Sequence, residues 1–275
     1  MSERKAVTII TDESAEEVHP LTPAAIQRSA DHRYQYQGRW YPGVTGILGM
    51  LDKSGPLMSW AARQTAEAAL GLVYGDPPQE PADARLLLQV LDSVGREGFI
   101  KAVTSRAAWQ RDEAASLGTK VHEWAELVVR DGAIPELGDP IRKRVMAYAE
   151  WWKASGWRLR LSEAMVVDPA TGYGGTFDLL AYDRDGRTVL ADIKTGKGIY
   201  REAILQLAAY SYAPLVAPAG SPEAYPMPTI DRHVILHVTT SGVREVELSV
   251  GDLEYRAFLA CITLSEWADT VKGKL

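Results

Sequence analysis

The chain has 275 residues and a formal net charge of −6; 46% of its residues are hydrophobic and 24% are charged. These values predict one globular domain with a full core. A single cysteine, Cys261, excludes an internal disulfide framework and any zinc or iron–sulfur site that needs several thiolates from one chain. The acidic charge counts mildly against a nucleic-acid partner, although phosphate binding requires only local positive charge.

The first twenty residues are polar and acidic, which fits neither a secretory signal nor a mitochondrial transit peptide. No stretch of the sequence approaches the ~18 apolar residues of a membrane span. We therefore expect a cytoplasmic protein that has no membrane partner.

The first half of the chain is predicted to be mainly helical. Residues 1–35 are polar and are expected to begin without regular structure. Residues 36–48 predict a short hairpin that leads into a helix, for which Thr45 is a suitable N-cap. Gly118 lies inside the longest helical pattern, where glycine costs about 1 kcal/mol relative to alanine, so we expect a packing or functional reason for it. The predicted helices cover residues 57–72, 82–94, 99–130 and 140–154.

The second half carries the strands. Turn sequences over 169–172 and 183–186 join three strand patterns into a predicted antiparallel meander. A helix follows, and the proline-rich residues 214–228 are predicted to form an exposed connection. The predicted strands cover residues 157–167, 175–182, 187–194, 232–238 and 243–248, and the predicted helices cover 202–216 and 253–271. This order predicts an α/β fold with a mixed central β-sheet flanked by helices.

Acidic residues and a lysine stand on consecutive predicted strands. Glu163 is on the first strand, Gly175-Thr-Phe-Asp178 opens the second, and Asp192-Ile-Lys194 ends the third. Because side chains alternate along a strand, Asp192 and Lys194 share one face. Asp178 can supply a second carboxylate to a hard cation such as Mg²⁺ or Mn²⁺. Water activated by that cation and oriented by Lys194 could attack phosphorus in line, and Lys194 could steady the pentavalent phosphate.

Two helices carry further candidates at one-turn spacing. His122 and Glu126 share one helix face upstream of the strands, and His122 could add a nitrogen ligand, which favours Mn²⁺ over Mg²⁺. Gln206 and Tyr210 share a face on the helix after the third strand. Both can donate hydrogen bonds to phosphate or sugar, or brace the ends of the catalytic strands.

The set of Glu163, Gly175-x-x-Asp178, Asp192-x-Lys194 and Gln206-x-x-x-Tyr210, preceded by His122, resembles the PD-(D/E)XK nuclease superfamily. It is most similar to the RecB-type exonuclease branch, which includes phage and CRISPR-associated nucleases. The stretch Tyr41-Pro-Gly-Val-Thr-Gly-Ile-Leu48 is similar to a Pro-Ser-Val-Thr-x-Ile-Leu opening in that branch, with Gly43 in place of serine. Related members often hold an iron–sulfur cluster with four cysteines; with one cysteine, this chain is expected to lack the cluster.

The resemblance implies a role for each matching residue. His122, Asp178 and Asp192 would be metal ligands together with the backbone carbonyl of Ile193. Lys194 would be catalytic, joined by Asp178, Asp192 and Glu163, whose helper role varies among relatives. Gln206 and Tyr210 would contact DNA or organise the site. The implied core is restriction-endonuclease-like and spans residues 99–275 of a single nuclease domain, with residues 1–98 as a mainly helical extension arching over the cleft.

The resemblance also implies a substrate and a setting. The expected reaction is hydrolysis of DNA by an exonuclease that uses one or two Mg²⁺ or Mn²⁺ ions and acts on single strands or DNA ends. Recombination, repair or phage DNA processing, in a bacterial or phage-infected cell, is the expected context, and a homo-oligomer or a recombination protein remains open as a partner. A structure-specific or restriction-like endonuclease, an inactive DNA-binding protein and another metal-dependent hydrolase are the alternatives.

Several other residues have a structural interpretation beside a functional one. Lys197 and Arg201 follow the third strand and could bind phosphate, or could be solvated loop charges. His233 and His237 lie on one strand face and could imitate a metal pair, but that strand has no nearby carboxylate, so they are interpreted as structural. The tryptophans are interpreted as packing residues: Trp109, Trp124, Trp151, Trp152 and Trp157.

Overall fold

The protein is described here from a computed structural model that covers residues 25–51, 54–74, 84–132, 141–196 and 198–272. Its mixed α/β architecture confirms the predicted fold class at that level. The described residues group into two compact units. One unit combines the residues up to 51 with those from 120 onward, and the other lies within 52–119. In the described part of the chain, no helix is long and apolar enough to cross a membrane.

The helices and strands follow the predicted order with a few additions. The helices are α1 (Val44–Leu48), α2 (Ser54–Tyr74), α3 (Ala84–Asp131), α4 (Ile141–Ser155), α5 (Glu202–Tyr212) and α6 (Asp252–Lys272). The strands are β1 (Gln27–Arg28), β2 (Tyr34–Tyr36), β3 (Arg39–Tyr41), β4 (Arg158–Asp168), β5 (Tyr173–Tyr182), β6 (Thr188–Lys194), β7 (Leu215–Ala217), β8 (Tyr225–Pro226), β9 (Arg232–Thr239) and β10 (Gly242–Leu248).

The main sheet is mixed, as predicted. Seven strands of the described chain form it in the order β10-β9-β6-β5-β4-β7-β8. The meander β4-β5-β6 is antiparallel, whereas β6 and β9 run parallel. Parallel neighbours need a crossover, and α5 lies within the connection between them. The crossover brings α5 against β5 and β6, on which it packs.

One face of this sheet is covered by α1, α5 and α6, which also pack on one another. Tyr173, Phe177, Leu207, Tyr210 and Phe258 are almost fully buried there. The phenol of Tyr173 donates a hydrogen bond to the Ala209 carbonyl at 2.9 Å, so its buried hydroxyl is satisfied. This face holds α5 rigidly over the carboxyl end of β6.

On the opposite face, β1, β2 and β3 form a small antiparallel sheet, here named the N-terminal sheet (residues 27–41). It docks on β5 through Tyr34. A Cβ atom at Gly174 would come within 2.6 Å of the Tyr34 Cβ atom, so only glycine allows this approach. The Gly174 N–H also donates to the Pro42 carbonyl at 3.0 Å. The hairpin predicted over residues 36–48 therefore belongs to the unit that contains the main sheet.

Three local predictions are wrong. Gly43, not Thr45, is the N-cap of α1, and a Cβ at Gly43 would come within 2.4 Å of the His32 carbonyl oxygen. The helix predicted over 202–216 ends at Tyr212, because the chain turns to form β7. Residues 214–228 are not simply exposed, since they contribute β7 and β8 to the sheet and bury Ala217 and Ala224 completely.

Gly175 is predicted to tolerate substitution poorly. A Cβ at this position would lie 2.3 Å from Cε1 of Tyr210 and 3.3 Å from Val44 Cγ2. Gly175→Ala should therefore destabilise the protein by about 1–3 kcal/mol through overpacking. Gly46→Ala is the control, because a Cβ there meets no atom within 4 Å and the position is helical. Thermal unfolding should show a lower Tm for Gly175→Ala alone; equal Tm values would contradict the packing.

Candidate metal centre

The candidate site lies where β5 and β6 separate. Their registered pairs begin at Tyr182–Thr188 and stop at Leu179–Ala191. Beyond that point the Ile193 N–H donates to Oδ2 of Asp178 at 2.6 Å instead of to a backbone carbonyl of β5. The separated strand ends therefore hold a carboxylate in place by a charge-assisted hydrogen bond.

His122 reaches Asp178 from α3. Its Nδ1 atom lies 3.3 Å from Asp178 Oδ1. Burial lowers the pKa of His122, but the charge and hydrogen bond of Asp178 outweigh it and raise that pKa to about 9. Burial likewise raises the pKa of Asp178, yet His122 and Lys194 hold it below its usual value. At neutral pH, without a metal, the two groups form a partly buried ion pair.

Glu163 completes a cluster with His122 and Asp178. One ligand atom from each of these residues lies within 4.8 Å of the others. Glu163 lies opposite Asp178 between registered pairs of β4 and β5, and its φ of 48° is in the left-handed region. That conformation costs about 1–3 kcal/mol for a residue other than glycine and is frequent at functional sites. Burial, and then the Asp178 charge, raise the pKa of Glu163 to about 7.

Asp192 and Lys194 form a second pair on β6. The Lys194 Nζ atom is 2.6 Å from Asp192 Oδ2, and the Asp192 side chain is only 2% exposed. Burial and the Asp178 charge raise the pKa of Asp192 to about 6, although Lys194 opposes that shift. Burial lowers the pKa of Lys194, but the charges of Asp192 and Asp178 prevail and raise it. Lys194 is therefore a cation at neutral pH.

A hydrogen-bonded chain on α5 positions the lysine. Lys194 Nζ donates to Gln206 Oε1 at 3.3 Å, and Gln206 Nε2 donates to the Tyr210 hydroxyl at 2.9 Å. Tyr210 is held in turn by its contact with Gly175. Burial raises the pKa of Tyr210 well above its usual value, so the phenol keeps its proton. Gln206 and Tyr210 thus organise the site, with Lys194 as the group they orient.

The donor set suits a hard divalent cation. His122, Glu163 and Asp178 offer one imidazole nitrogen and two carboxylates, which Mn²⁺ accepts readily and Mg²⁺ accepts through the carboxylates. Repulsion by the Asp178 carboxylate contributes to the raised pKa values of Glu163 and Asp192, and a bound cation would relieve that repulsion. The sequence predicted Asp192 and the Ile193 carbonyl as ligands. In the structure Asp192 contacts Lys194, and Ile193 contacts Asp178 through its N–H.

The remaining predicted residues have other contacts. Glu126 accepts a hydrogen bond from Arg130 at 3.1 Å, one turn along α3. Arg201 is exposed at the start of α5, and Lys197 lies outside the described residues. His237 Nε2 lies 2.7 Å from the Gly196 carbonyl, so it contacts the loop after β6. Trp151 packs edge to face on Trp157 and hydrogen-bonds Glu245, which agrees with a packing role.

Sequence reasoning missed two neighbours of the site. The Tyr34 hydroxyl lies 2.9 Å from Thr176 Oγ1, two residues before Asp178 on β5. The charge of Arg28, on β1, opposes the rise in the pKa of Glu163. Tyr34 and Arg28 belong to the N-terminal sheet, and no sequence pattern marked the docking of this segment on β5.

No family model matches the sequence, and no curated protein is significantly similar to it.

Metal affinity is predicted to rise with pH. Below pH 9 His122 carries a proton that a metal ligand must lose, so binding releases it. Between pH 7.5 and 8.5, above the pKa of about 7 for Glu163 and about 6 for Asp192, His122 is the group that titrates. The Mn²⁺ association constant should rise about tenfold over that pH unit. Calorimetry in buffers of different ionisation enthalpy should count close to one released proton; no release would contradict His122 ligation.

Proposed function

We propose that this protein is a metal-dependent DNA nuclease of the PD-(D/E)XK type. The observation that carries the proposal is the pairing of a buried carboxylate, Asp192, with the ammonium of Lys194, beside a cluster of one imidazole and two carboxylates. A binding scaffold has no need for a buried Asp192 held against a half-buried lysine, with the partly buried Asp178 beside them. Such a combination serves a reaction in which negative charge develops on phosphate oxygens.

The residues of the site divide the chemistry between them. A Mg²⁺ or Mn²⁺ ion held by His122, Glu163 and Asp178 would supply a water of lowered pKa and polarise a phosphoryl oxygen. Lys194 orients the attacking water or donates to the phosphate oxygen on which negative charge accumulates. Gln206 restricts Lys194 to one position, and Tyr210 restricts Gln206. Restricted donors act strongly because they need no reorganisation during the reaction.

An exonuclease acting on DNA ends or single strands is the preferred form of the activity. It rests on the resemblance of the motifs, as does a role in recombination, repair or phage DNA processing. The PD-(D/E)XK core and the division of the chain into extension and catalytic part belong to the same proposal. The mixed sheet, with its antiparallel meander followed by a crossover helix, supports that core.

The test is digestion of end-labelled linear DNA and closed circular DNA, each single- and double-stranded, with Mg²⁺, Mn²⁺ or EDTA. Metal-dependent loss of linear DNA alone would establish an exonuclease and give its polarity. Cleavage of the circles would favour the endonuclease alternative. A protein that shifts DNA in a gel without cutting it would be a binding protein. Cleavage of small phosphoesters with no effect on DNA would indicate another hydrolase.

A further inference from the structure

The N-terminal sheet is attached to the strand that carries Asp178. Tyr34, only 4% exposed, packs on Gly174 and reaches Thr176 through its hydroxyl. Gly174, Thr176 and Asp178 alternate along β5, so Thr176 and Asp178 are about 7 Å apart on the same face. The sheet therefore stands at the edge of the metal centre, on the side from which His122 approaches.

Register places two of the three arginines of that sheet on the face that meets β5: Arg28, and Arg39, which is paired with Tyr36 and whose guanidinium lies 5.6 Å from the Tyr41 ring centroid. Arg28 is paired with Tyr34 across β1 and β2, so both side chains lie on the face of the N-terminal sheet that meets β5. Arg33 directly precedes Tyr34 and points to the opposite face by alternation, where its guanidinium lies 6.0 Å from the Trp40 ring centroid. Arg28 and Arg33 are both exposed, and they differ in the face of the sheet that they occupy.

Charge and chemistry at this position suit a phosphate. Residues 25–41 contain three arginines and one aspartate, in a chain whose net charge is −6. The Arg28 Nη2 atom contacts Nδ1 of His32 at 2.6 Å, an imidazole instead of a carboxylate. A guanidinium has five N–H donors in a planar fork, so this contact leaves donors for an anion.

We propose that Arg28 binds a backbone phosphate next to the scissile one, and that the N-terminal sheet thereby guides a DNA strand into the metal centre. The inference rests on the proposed nuclease function and names the substrate contact on one side of the site. The ligand is the phosphodiester backbone of a single DNA strand. Base identity does not enter, because a phosphate contact carries no sequence information.

The test compares Arg28→Ala with Arg33→Ala, which removes the same charge from the other face of the same sheet. Binding of a fluorescent single-stranded oligonucleotide is measured by anisotropy in the Lys194→Met background with Mg²⁺, over a series of salt concentrations. Arg28→Ala should raise Kd about tenfold, the value of one lost charge-assisted hydrogen bond. It should also reduce the slope of log K against log salt by about 0.7, the value for one single-strand phosphate contact. Arg28→Lys should restore the slope but only part of the affinity.

Arg33→Ala should leave Kd within about twofold, because an exposed charge on the far face is screened by salt. With otherwise wild-type enzyme, Arg28→Ala should raise KM and leave kcat unchanged. Equal effects of the two alanine variants would overturn the assignment of Arg28, even if the wild-type protein cuts DNA. If the wild type cuts nothing but binds DNA through Arg28, the DNA contact of Arg28 is confirmed and the nuclease proposal fails.

Discussion

Replacing Lys194 with methionine is expected to lower kcat by about 10²–10³-fold, the usual loss when one preorganised donor to a transition-state charge is removed. Methionine has similar length and packs well, so the substitution removes the ammonium and little else. Without Lys194 the pKa of Asp192 should rise further, because the cation that opposes its upward shift is gone, and a protonated carboxyl is easier to bury than an unpaired charge. We therefore expect a folded, inactive protein.

The measurement is single-turnover cleavage of end-labelled DNA, with thermal unfolding on the same samples. Lys153→Met is the matched control, because Lys153 is exposed in the last turn of α4. It should keep wild-type activity. Activity of Lys194→Met within a few fold of the wild type, at saturating metal, would remove Lys194 from the mechanism.

Asp178→Asn is expected to abolish metal-dependent activity by lowering metal affinity about 100-fold or more, since even supporting groups around a metal are each worth about 10–100-fold. Asparagine is nearly isosteric and can still accept the hydrogen bond from the Ile193 N–H, so the backbone geometry where β5 and β6 separate should persist. The substitution also removes the charge that raises the pKa of His122. The pKa of His122 should then fall from about 9, because the largest effect that opposes the lowering by burial is gone.

Two measurements separate these effects. Mn²⁺ calorimetry gives the affinity, and NMR titration of the His122 ring without metal gives its pKa. Asp185→Asn removes one carboxylate from an exposed turn and should change neither quantity. An unchanged pKa of His122 in Asp178→Asn would contradict the ion pair between these residues, whatever the effect of the substitution on DNA cleavage.

The order of the helices and strands was predictable from the sequence because hydrophobic periodicity and turn residues mark them locally. These local signals predicted the meander β4-β5-β6 and the helix α5, and the structure contains both. The short strands β1, β7 and β8 were not predicted. A strand of two or three residues is too short to show a hydrophobic period. Its pairing depends on residues far away in the chain, as Val216 of β7 does on Val166 of β4.

The candidate site was predictable in part for a similar reason. Strand alternation was enough to join Asp192 with Lys194, and helical spacing was enough to join Gln206 with Tyr210. The cluster of Glu163 with His122 depends on a left-handed residue inside β4, which no sequence pattern marks when that residue is glutamate. Arg28 depends on docking of the N-terminal sheet onto β5, a contact between segments far apart in the chain.

The parallel pairing of β6 with β9 has a consequence for synthesis on the ribosome. The β4-β5-β6 hairpins can form as soon as they emerge, since their contacts are local in sequence. However, β9 pairs with β6 by placing His237 opposite Lys194. The ribosome adds about 5–20 residues per second, so His237 is translated a few seconds after Lys194. A nascent chain ending before β9 would leave β6 as an unpaired sheet edge. We expect such a chain to be prone to aggregation, so the sheet around Lys194 would be complete only after β9 has left the ribosome.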